Sequence, residues 1–462
     1  MGTASDIASR HRFDARRTRQ QLLRAVRQGL QSNGRTELTQ VTVPMPPMDV
    51  LAWLDAQPQA ERTYWSDRNG HHEMAAVGAA DVQRSRAPVR RAALTQVLRE
   101  HSFMEGGRYI GGLRFDSGRP AEARWQPFST FRFVLPRLEL HRTPEGTLLR
   151  CNLRPGHDDR SVVEALVHQV RLHPAASPPA ALAAPVARTD APDRPAWEAT
   201  VREALEAIAT TPLEKVVLAR VATFTFAAPL APFTLLRLLK PATPNCFHFA
   251  FQSAAGPAFV GASPELLFAK EGARVRSEAV AGTRPRADDP AADARLRRAL
   301  LQSDKDRREH AFVRERIRRA LAPLTQTLTV EEAPSELRLA RKRHLQSAVK
   351  GSLQEGVDVW DLLGTLHPTP AVGGTPTEGA LQHIRAMEPL DRGWYAGPVG
   401  WVQDDAAAFA VGIRSGLVDG ADLSLFSGAG IVTGSDPAAE WQEIEHKISD
   451  FINVLGLDPR RS

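Results

Sequence analysis

Cysteine, lysine and long apolar runs are all scarce in this sequence of 462 residues. The two cysteines, Cys151 and Cys246, are too few for a disulfide framework or a zinc site built from cysteines, and they fit a reducing compartment. No apolar run reaches the roughly 18 residues that a transmembrane helix requires. The first 20 residues lack the apolar core of a secretory signal. We therefore expect a cytoplasmic protein without a membrane partner.

The basic excess does not point to a nucleic-acid partner. The 59 basic and 53 acidic residues give a net charge of +6. Acidic residues interrupt the basic ones, as in Arg307-Arg308-Glu309, and no dense basic run alternates with aromatic residues, as nucleic-acid binding would favour. An Arg-rich nucleic-acid-binding protein remains the non-enzymatic alternative. Only 7 of the basic residues are lysines, which draws attention to each lysine because Lys can lose its proton when desolvated and Arg cannot.

Composition and periodicity divide the chain into four stretches. Residues 1–35 are Arg- and Gln-rich with helical apolar spacing, which predicts a surface helix after a frayed terminus. Residues 36–171 have mixed strand and helix patterns. Residues 172–196 are rich in Ala and Pro, which predicts a linker or a long surface loop. Residues 197–457 carry the densest pattern of predicted strands and helices.

Strand patterns interrupted by helices, without regular alternation of the two, predict the α+β fold class. In the first half we expect strands at Leu38–Val43, Phe131–Leu140 (broken by Pro136) and Leu148–Leu153, with a hairpin turn at 141–146. In the second half we expect helices at Trp197–Thr210, Ala291–Ala322 and Trp441–Leu455. Strands are expected there at Lys215–Thr225, Phe247–Gln252, Ala258–Ala262, Glu265–Lys270, Ala273–Ala281, Glu336–Arg341, Ala396–Val402, Ala407–Ile413 and Asp422–Ser427. Glu271-Gly272 is a hairpin signal.

Two acidic pairs could bind a divalent cation. Asp306 and Glu309 are three residues apart on one predicted helix, and Glu440 and Glu443 have the same spacing on another. Carboxylates from two helices could enclose one Mg²⁺, which prefers oxygen ligands. The alternative is a pair of solvated helix faces, since Glu443 and Lys447 also have the spacing of an ordinary ion pair.

Two further residues could supply acid–base chemistry. Lys215 opens an apolar strand, where desolvation would favour an uncharged amine. A strand-end lysine that reaches water is the alternative. Glu265 follows a tight turn and precedes an apolar pair, so it could be a general acid whose burial favours the protonated form, or simply a solvated turn residue.

An anion could be held near the C-terminal end. Gly428 and Gly430 follow a predicted strand in Ser427-Gly428-Ala429-Gly430, where glycines would let backbone N–H groups approach an anion; a plain turn is the alternative. Arg414 ends an apolar strand, a position suited to clamping a carboxylate or to an ordinary ion pair.

The order of several blocks resembles the chorismate-utilising enzymes related to anthranilate synthase component I, and among them the isochorismate synthases. The similarity covers roughly residues 197–457. The blocks are KVVLAR (215–220), GASPELLF (261–268), EAVAGTRPR (278–286), SDKDRREH (303–310), HLQSAVKG (344–351), HPTPAVGG (367–374), WYAGPVG (394–400), VGIRS (411–415), SGAGIV (427–432) and EWQEIEHK (440–447).

The resemblance implies a fold, a reaction and a set of roles. It implies one large α+β unit in which two mainly antiparallel sheets pack face to face among helices, with a variable N-terminal part. It implies a reversible, Mg²⁺-dependent isomerase reaction in which water adds at C2 of chorismate and the C4 hydroxyl leaves. The implied roles are general base for Lys215, general acid for Glu265, metal binding for Glu309, Glu443, Asp306 and Glu440, and substrate binding for Thr283, His344, Tyr395, Arg414, Gly428 and Gly430.

The same blocks favour one branch of the family. Lys215 argues against an anthranilate synthase, which lacks a base there, and no glutamine amidotransferase partner is implied because water is the nucleophile. Ala281 stands where aminodeoxychorismate synthases carry a nucleophilic lysine. Salicylate synthases share the acid and the base, and HPTPAVGG only weakly favours an isochorismate synthase. The C-terminal run favours the menaquinone pathway, with a siderophore pathway as the alternative.

Overall fold

A computed structural model describes residues 13–31, 37–173, 178–254 and 256–457, apart from the side chain of Lys305. Eleven α-helices lie within these ranges. They are α1 (Ala15–Leu30), α2 (Val50–Asp55), α3 (Arg91–Arg99), α4 (Arg160–Gln169), α5 (Arg194–Thr210), α6 (Pro232–Ala242), α7 (Pro290–Gln302), α8 (Asp304–Leu321), α9 (Val359–Leu366), α10 (Thr377–Met387) and α11 (Pro437–Val454). Short 3₁₀ helices occupy Ala123–Phe128 and Ala322–Leu324.

Twenty β-strands lie in the described ranges. They are β1 (Thr39–Met45), β2 (Arg62–Ser66), β3 (Glu73–Ser85), β4 (Tyr109–Leu113), β5 (Phe131–Thr143), β6 (Gly146–Leu153), β7 (Ala187–Ala191), β8 (Lys215–Thr225), β9 (Phe247–Gln252), β10 (Ala258–Ser263), β11 (Leu266–Glu271), β12 (Arg274–Pro285), β13 (Thr325–Val330), β14 (Ser335–Arg338), β15 (Lys342–Leu353), β16 (Gly374–Thr375), β17 (Pro398–Gln403), β18 (Ala406–Val411), β19 (Ser415–Asp419) and β20 (Asp422–Ile431).

The strands form two antiparallel branches that meet at β5. One edge of β5 pairs with β3, while the other pairs with β4 near Phe131 and with β6 near Leu138. The first branch runs β1-β6-β5-β3-β2-β9-β10-β19-β20-β8, with β7 and β16 on the far side of β8. The second runs β4-β17-β18-β11-β12-β15, flanked by β13 and β14.

The main apolar core draws on both branches. Phe259 on β10, Phe268 on β11 and Phe409 on β18 belong to one buried cluster, which Trp125 and Trp394 also join. A second cluster packs α1, α2, α6 and α11 against the first branch. The predicted α+β class with two packed antiparallel sheets is confirmed. None of the described helices has the length and apolar character needed to cross a membrane.

The N-terminal and linker predictions are corrected in part. Helix α1 buries Leu22, Leu23 and Val26, while residues 1–12 and 32–36 lie outside the described residues. The strand predicted to break at Pro136 runs through it, because β3 accommodates the proline with an irregularity between Ala79 and Asp81. Within the predicted linker 172–196, β7 pairs with β8 as an edge strand. Residues 174–177 of that linker are not described.

The helix predicted at Ala291–Ala322 is wrong as one element and is replaced by α7 and α8. Ser303 between them has an extended backbone, and its side chain accepts a hydrogen bond from the N–H of Asp306 at 3.2 Å. A serine in this conformation satisfies a free amide and starts a new helix. The strand predicted at Glu336–Arg341 is too long, because β14 ends at Arg338. Residues 339–341 form a turn to β15, in which Leu339 N–H donates to Lys342 O at 2.9 Å.

Replacing Ser303 with Ala should lower the free energy of unfolding by about 0.5–2 kcal/mol, because the amide of Asp306 then loses its cap. Urea unfolding followed by circular dichroism measures this change. Ser303→Asp is the matched control, since aspartate also caps helices. Equal stability of the Ala variant and the wild type would show that the cap does not hold the start of α8.

Candidate active site

One cavity of about 590 Å³ contains every site residue predicted from the sequence. Its walls come from the start of β8, the passage from β10 to β11, the end of β12, helices α8 and α11, and strand β20. The twelve predicted residues that line it are Lys215, Glu265, Thr283, Asp306, Glu309, His344, Tyr395, Arg414, Gly428, Gly430, Glu440 and Glu443. Groups separated by more than 200 positions in the chain therefore share one space.

Lys215 begins strand β8 and faces an acidic helix. Its backbone pairs with Thr375 of β16, and only 9% of its side chain is exposed. The Nζ atom lies 3.7 Å from Oε1 of Glu309 on α8. A Cβ atom at Gly430 would lie 2.7 Å from Cε and 3.2 Å from Nζ of Lys215. The missing side chain at Gly430 thus leaves the space in which the amine lies.

Glu265 lies where the chain crosses from the first branch to the second. Strand β10 ends at Ser263 and β11 begins at Leu266, so Glu265 lies in the crossing itself. Burial and then the negative charge of Glu278 raise the pKa of Glu265 to about 8. A carboxyl group with this pKa is mostly protonated at neutral pH and can donate a proton. The solvated-turn alternative does not describe it.

The acidic pairs on α8 and α11 are held by cations. Asp306 accepts hydrogen bonds from Arg284, at 2.5 and 3.3 Å, and Glu443 lies 2.6 Å from Nζ of Lys447. The charge of Lys447 lowers the pKa of Glu443. Within the described ranges, no three His, Cys, Asp or Glu side chains are grouped closely enough to hold a metal ion. The four carboxylates share the cavity, but they are not assembled around one point.

Arg414 has a strained backbone rather than the end-of-strand position expected. It lies between β18 and β19 with a φ of 50°, in the left-handed region that non-glycine residues rarely adopt. Its carbonyl oxygen accepts the N–H of Ala262 at 3.0 Å, and its Nη1 donates to the carbonyl oxygen of Lys447 at 2.7 Å. Strain of this kind costs about 1–3 kcal/mol and needs support from its surroundings, as these two bonds provide.

The glycines 428 and 430 belong to β20, which continues to Ile431 beyond the strand predicted at Asp422–Ser427. Gly428 pairs with Ala219 of β8, and Gly430 pairs with Val217. The N–H of Ala219 donates to Glu388 and that of Val217 to the carbonyl oxygen of Gly373, so neither donates to β20. Antiparallel pairs alternate between bonded and non-bonded positions, and these are of the non-bonded kind. The N–H groups of both glycines are therefore directed away from β8.

His344 contributes a neutral ring to the cavity wall. Burial, and then the charge of Arg414, lowers the pKa of His344 to about 3. Its Nδ1 lies 3.2 Å from the carbonyl oxygen of Gly282 and 2.9 Å from Oγ1 of Thr283. Because a carbonyl oxygen only accepts, we assign the ring proton to Nδ1. The buried Nε2 then remains an acceptor that no described residue satisfies.

Comparison with known proteins connects this geometry to a family. The family model described as "Chorismate binding enzyme" matches residues 20–456. The chain belongs to the chorismate-binding enzymes. The resemblance expected from the sequence is thereby confirmed, and it extends into the N-terminal part.

Individual chorismate-binding relatives agree with this assignment. The chain is 35% identical to "Isochorismate synthase, chloroplastic" of Catharanthus roseus over 76% of its length, but it spans only 62% of that protein. It is 33% identical to "Isochorismate synthase MenF" of Escherichia coli, covering 90% of this chain and 94% of the relative. The solved structure of the menaquinone-specific MenF from Escherichia coli superposes with a TM-score of 0.83 at 31% identity, over 94% of this chain and 99% of that one.

Sequence reasoning missed two arginines in and beside this cavity. Arg392 lines the cavity and donates to the carbonyl oxygens of Val217 (2.6 Å) and Val372 (2.8 Å) while it pairs with Glu388. Glu388 and Arg392 are four residues apart but follow the end of α10 at Met387, so the helical spacing rule does not explain their pairing. Arg68 also reaches the site from the turn between β2 and β3, and no local pattern could have indicated that approach.

Replacing Gly430 with Ala should reduce turnover about 100-fold while the fold persists. The new Cβ would displace the flexible end of Lys215, and a misplacement of about 1 Å at a reacting group can cost 100-fold. Steady-state kinetics with chorismate and thermal unfolding measure the two quantities. Gly379→Ala on α10 is the control, because a Cβ there meets nothing within 4 Å. Full turnover of the Gly430 variant would mean that the amine does not need this position.

Proposed function

We propose that this chain is an isochorismate synthase, which adds water at C2 of chorismate as the C4 hydroxyl leaves. The observation that carries the proposal is the pairing of an amine, Lys215, with a protonated carboxyl group, Glu265, in one cavity. The addition needs a base that takes a proton from water and an acid that gives one to the departing hydroxyl. The substrate and the product have the same composition, so no other reactant is consumed.

The two catalytic groups have complementary surroundings. Glu265 is buried and carries the proton that the leaving hydroxyl takes as it departs as water. Lys215, which Gly430 and Glu309 flank, would take a proton from the incoming water when its amine is in the unprotonated form. The charge of Lys215 acts on Glu265, which places the two groups within electrostatic reach of each other.

The proposed substrate is a dianion, and the cavity has groups that suit its two carboxylates. Arg414 carries a fixed positive charge. The N–H groups of Gly428 and Gly430 point away from β8, and neither glycine has a side chain that would block an approaching anion. Tyr395 stacks on Phe426 with 5.4 Å between ring centroids, and a Cβ at Gly428 would lie 3.1 Å from its hydroxyl. His344 Nε2 could accept a hydrogen bond from a substrate hydroxyl, beside Thr283.

We further propose that Mg²⁺ is bound by Glu309 and Glu443, with Asp306 and Glu440 acting directly or through water. Hard oxygen ligands of this kind suit Mg²⁺. Lys215, Arg284 and Lys447 now neutralise three of these carboxylates, so cation binding would exchange those ion pairs for metal bonds. The ion would supply positive charge for the C1 carboxylate of chorismate.

The remaining parts of the proposal concern the setting of the enzyme. The similarity to the menaquinone-specific isochorismate synthase of Escherichia coli supports a role in menaquinone biosynthesis. A cytoplasmic location and independence from a glutamine amidotransferase stay predictions. The alternative of a salicylate synthase, which would also eliminate pyruvate, uses the same acid and base and is separated from this proposal by its products. An Arg-rich nucleic-acid-binding protein would not need this arrangement of an acid and a base around a cavity.

Incubation with chorismate and Mg²⁺ should yield isochorismate, and Lys215→Ala should reduce its formation by at least about 100-fold because the base is removed. Chromatographic separation of the products measures both. Lys350→Ala, at an exposed lysine of β15, is the control and should keep full activity. Salicylate with pyruvate would select the alternative enzyme, and near-normal turnover of the Lys215 variant would remove the mechanism.

Glu309→Gln and Glu443→Gln should each weaken Mg²⁺ binding about tenfold or more, since a neutral amide replaces a charged ligand. Isothermal titration calorimetry with Mg²⁺ measures this without turnover, and the Mg²⁺ dependence of the rate should move in parallel. Glu315→Gln is the control on α8, where Glu315 pairs with Arg318 and Arg319 instead of lining the cavity. Unchanged Mg²⁺ affinity in both site variants would contradict the proposed metal site.

A further inference from the structure

A partly buried ion pair contacts the backbone on both sides of Glu265. Arg68 donates to both oxygens of Glu278 and also to the carbonyl oxygen of Pro264, the residue before Glu265. Glu278 in turn accepts the N–H of Leu266, the residue after it, at 2.8 Å. The backbone on either side of Glu265 is thus tied to one arginine–glutamate pair.

The pair also connects parts of the fold that are distant in sequence. Arg68 lies in the turn between β2 and β3 of the first branch, while Glu278 lies on β12 of the second. The guanidinium group of Arg68 stacks over the ring of Phe247, 5.1 Å from its centroid. Gln346 of β15 donates a further hydrogen bond to Glu278. These contacts fix the pair from four directions and leave it little freedom to move.

The charges of the pair act on Glu265 as well as on its backbone. Three charged groups face Glu265 from the elements packed against it: Glu278 from β12, Lys215 from β8 and Arg68 from the β2–β3 turn. The negative charge of Glu278 raises the pKa of Glu265, whereas the two positive charges lower it. Glu278 is the one charge among them that favours the proton-carrying form.

We propose that Arg68 and Glu278 are positioning residues for the general acid, with Arg68 fixing the backbone at Glu265 and Glu278 keeping its proton in place. This inference rests on the role proposed above for Glu265. It gives the N-terminal part of the chain a function in the reaction, because Arg68, which contacts both Glu278 and Pro264, belongs to residues 36–171.

The test separates the charge of the pair from its geometry. Glu278→Gln removes the charge but keeps an oxygen that can accept the N–H of Leu266. The acid works only while it is protonated. If the pKa of Glu265 is lower, the decline of the rate with rising pH therefore begins at a lower pH. We expect the basic limb of the kcat/KM profile to move to lower pH by about one unit. At pH values above the basic limbs of both the wild type and the variant, kcat/KM is then about tenfold lower in the variant. Arg68→Lys keeps the charge but cannot make all three hydrogen bonds, so kcat should fall several-fold with the limb unmoved.

A matched ion pair elsewhere controls for simple loss of stability. Asp158 accepts two hydrogen bonds from Arg137 and one from the N–H of Arg154, and its side chain is 6% exposed, compared with 7% for Glu278. Asp158→Asn should lower the melting temperature without moving the pH limb. Circular dichroism establishes that each variant is folded. If Glu278→Gln does not fold, the kcat of Arg68→Lys decides, because Arg68 lies in a turn and is partly exposed.

The decisive readout does not need turnover. Carbon-13 NMR of glutamate-labelled protein, with the Glu265 signal assigned by Glu265→Gln, follows the titration of this carboxyl group directly. A downward shift in Glu278→Gln supports the inference, and an unmoved titration, or full kcat in folded Arg68→Lys, overturns it. Full turnover of Glu265→Gln would overturn the proposed role of Glu265 itself. The titration of Glu265 tests only the effect of Glu278 on it, so the two failures can be distinguished.

Discussion

The burial of Glu265 is the constraint on which the rest of the site depends. A carboxyl group in a low-dielectric interior is far easier to keep neutral than charged, and here burial together with a second carboxylate raises its pKa to about 8. The second carboxylate, Glu278, can stay charged beside it because Arg68 and Gln346 hold both of its oxygens. The acid of the proposed reaction would therefore be a glutamate without a cationic partner beside a glutamate whose two oxygens are both hydrogen-bonded.

The position of Glu265 follows from the topology of the sheets. A chain that passes from β10 to β11 leaves one branch and joins the other, and the residue at the crossing must face the space between them. Lys215 enters the same space because β8 begins there. Arg68, in the turn between β2 and β3, contacts Pro264, the residue before Glu265. The junction at β5 makes the N-terminal part continuous with both branches, which is why this part can contribute a residue to the site.

Local sequence predicted the elements whose signals are local and failed where a distant partner decides. Strands β8 to β12 and helices α5 and α11 have clear apolar patterns, and the Glu271-Gly272 turn is where it was expected. Ser303 was a visible capping residue within an apparently continuous helical pattern. Strand β7 was missed because an edge strand with alternate exposed residues needs little apolar sequence. The site residues were identified through family resemblance, because spacing alone left each of them with an ordinary structural alternative.

The ion pairs within the cavity would connect the proposed binding of the substrate with that of the metal ion. Arg284 and Lys447 each pair with a carboxylate that the proposed Mg²⁺ would need, and Lys447 also donates to the carbonyl oxygen of Gly428 at 2.7 Å. A divalent cation that took over these carboxylates would leave positive side chains without partners in a partly buried cavity, which is unfavourable unless an anion follows. The carboxylates of chorismate would supply that anion. The proposed cation and the dianionic substrate would thus favour each other's binding, because each would compensate charges that the other leaves without a partner.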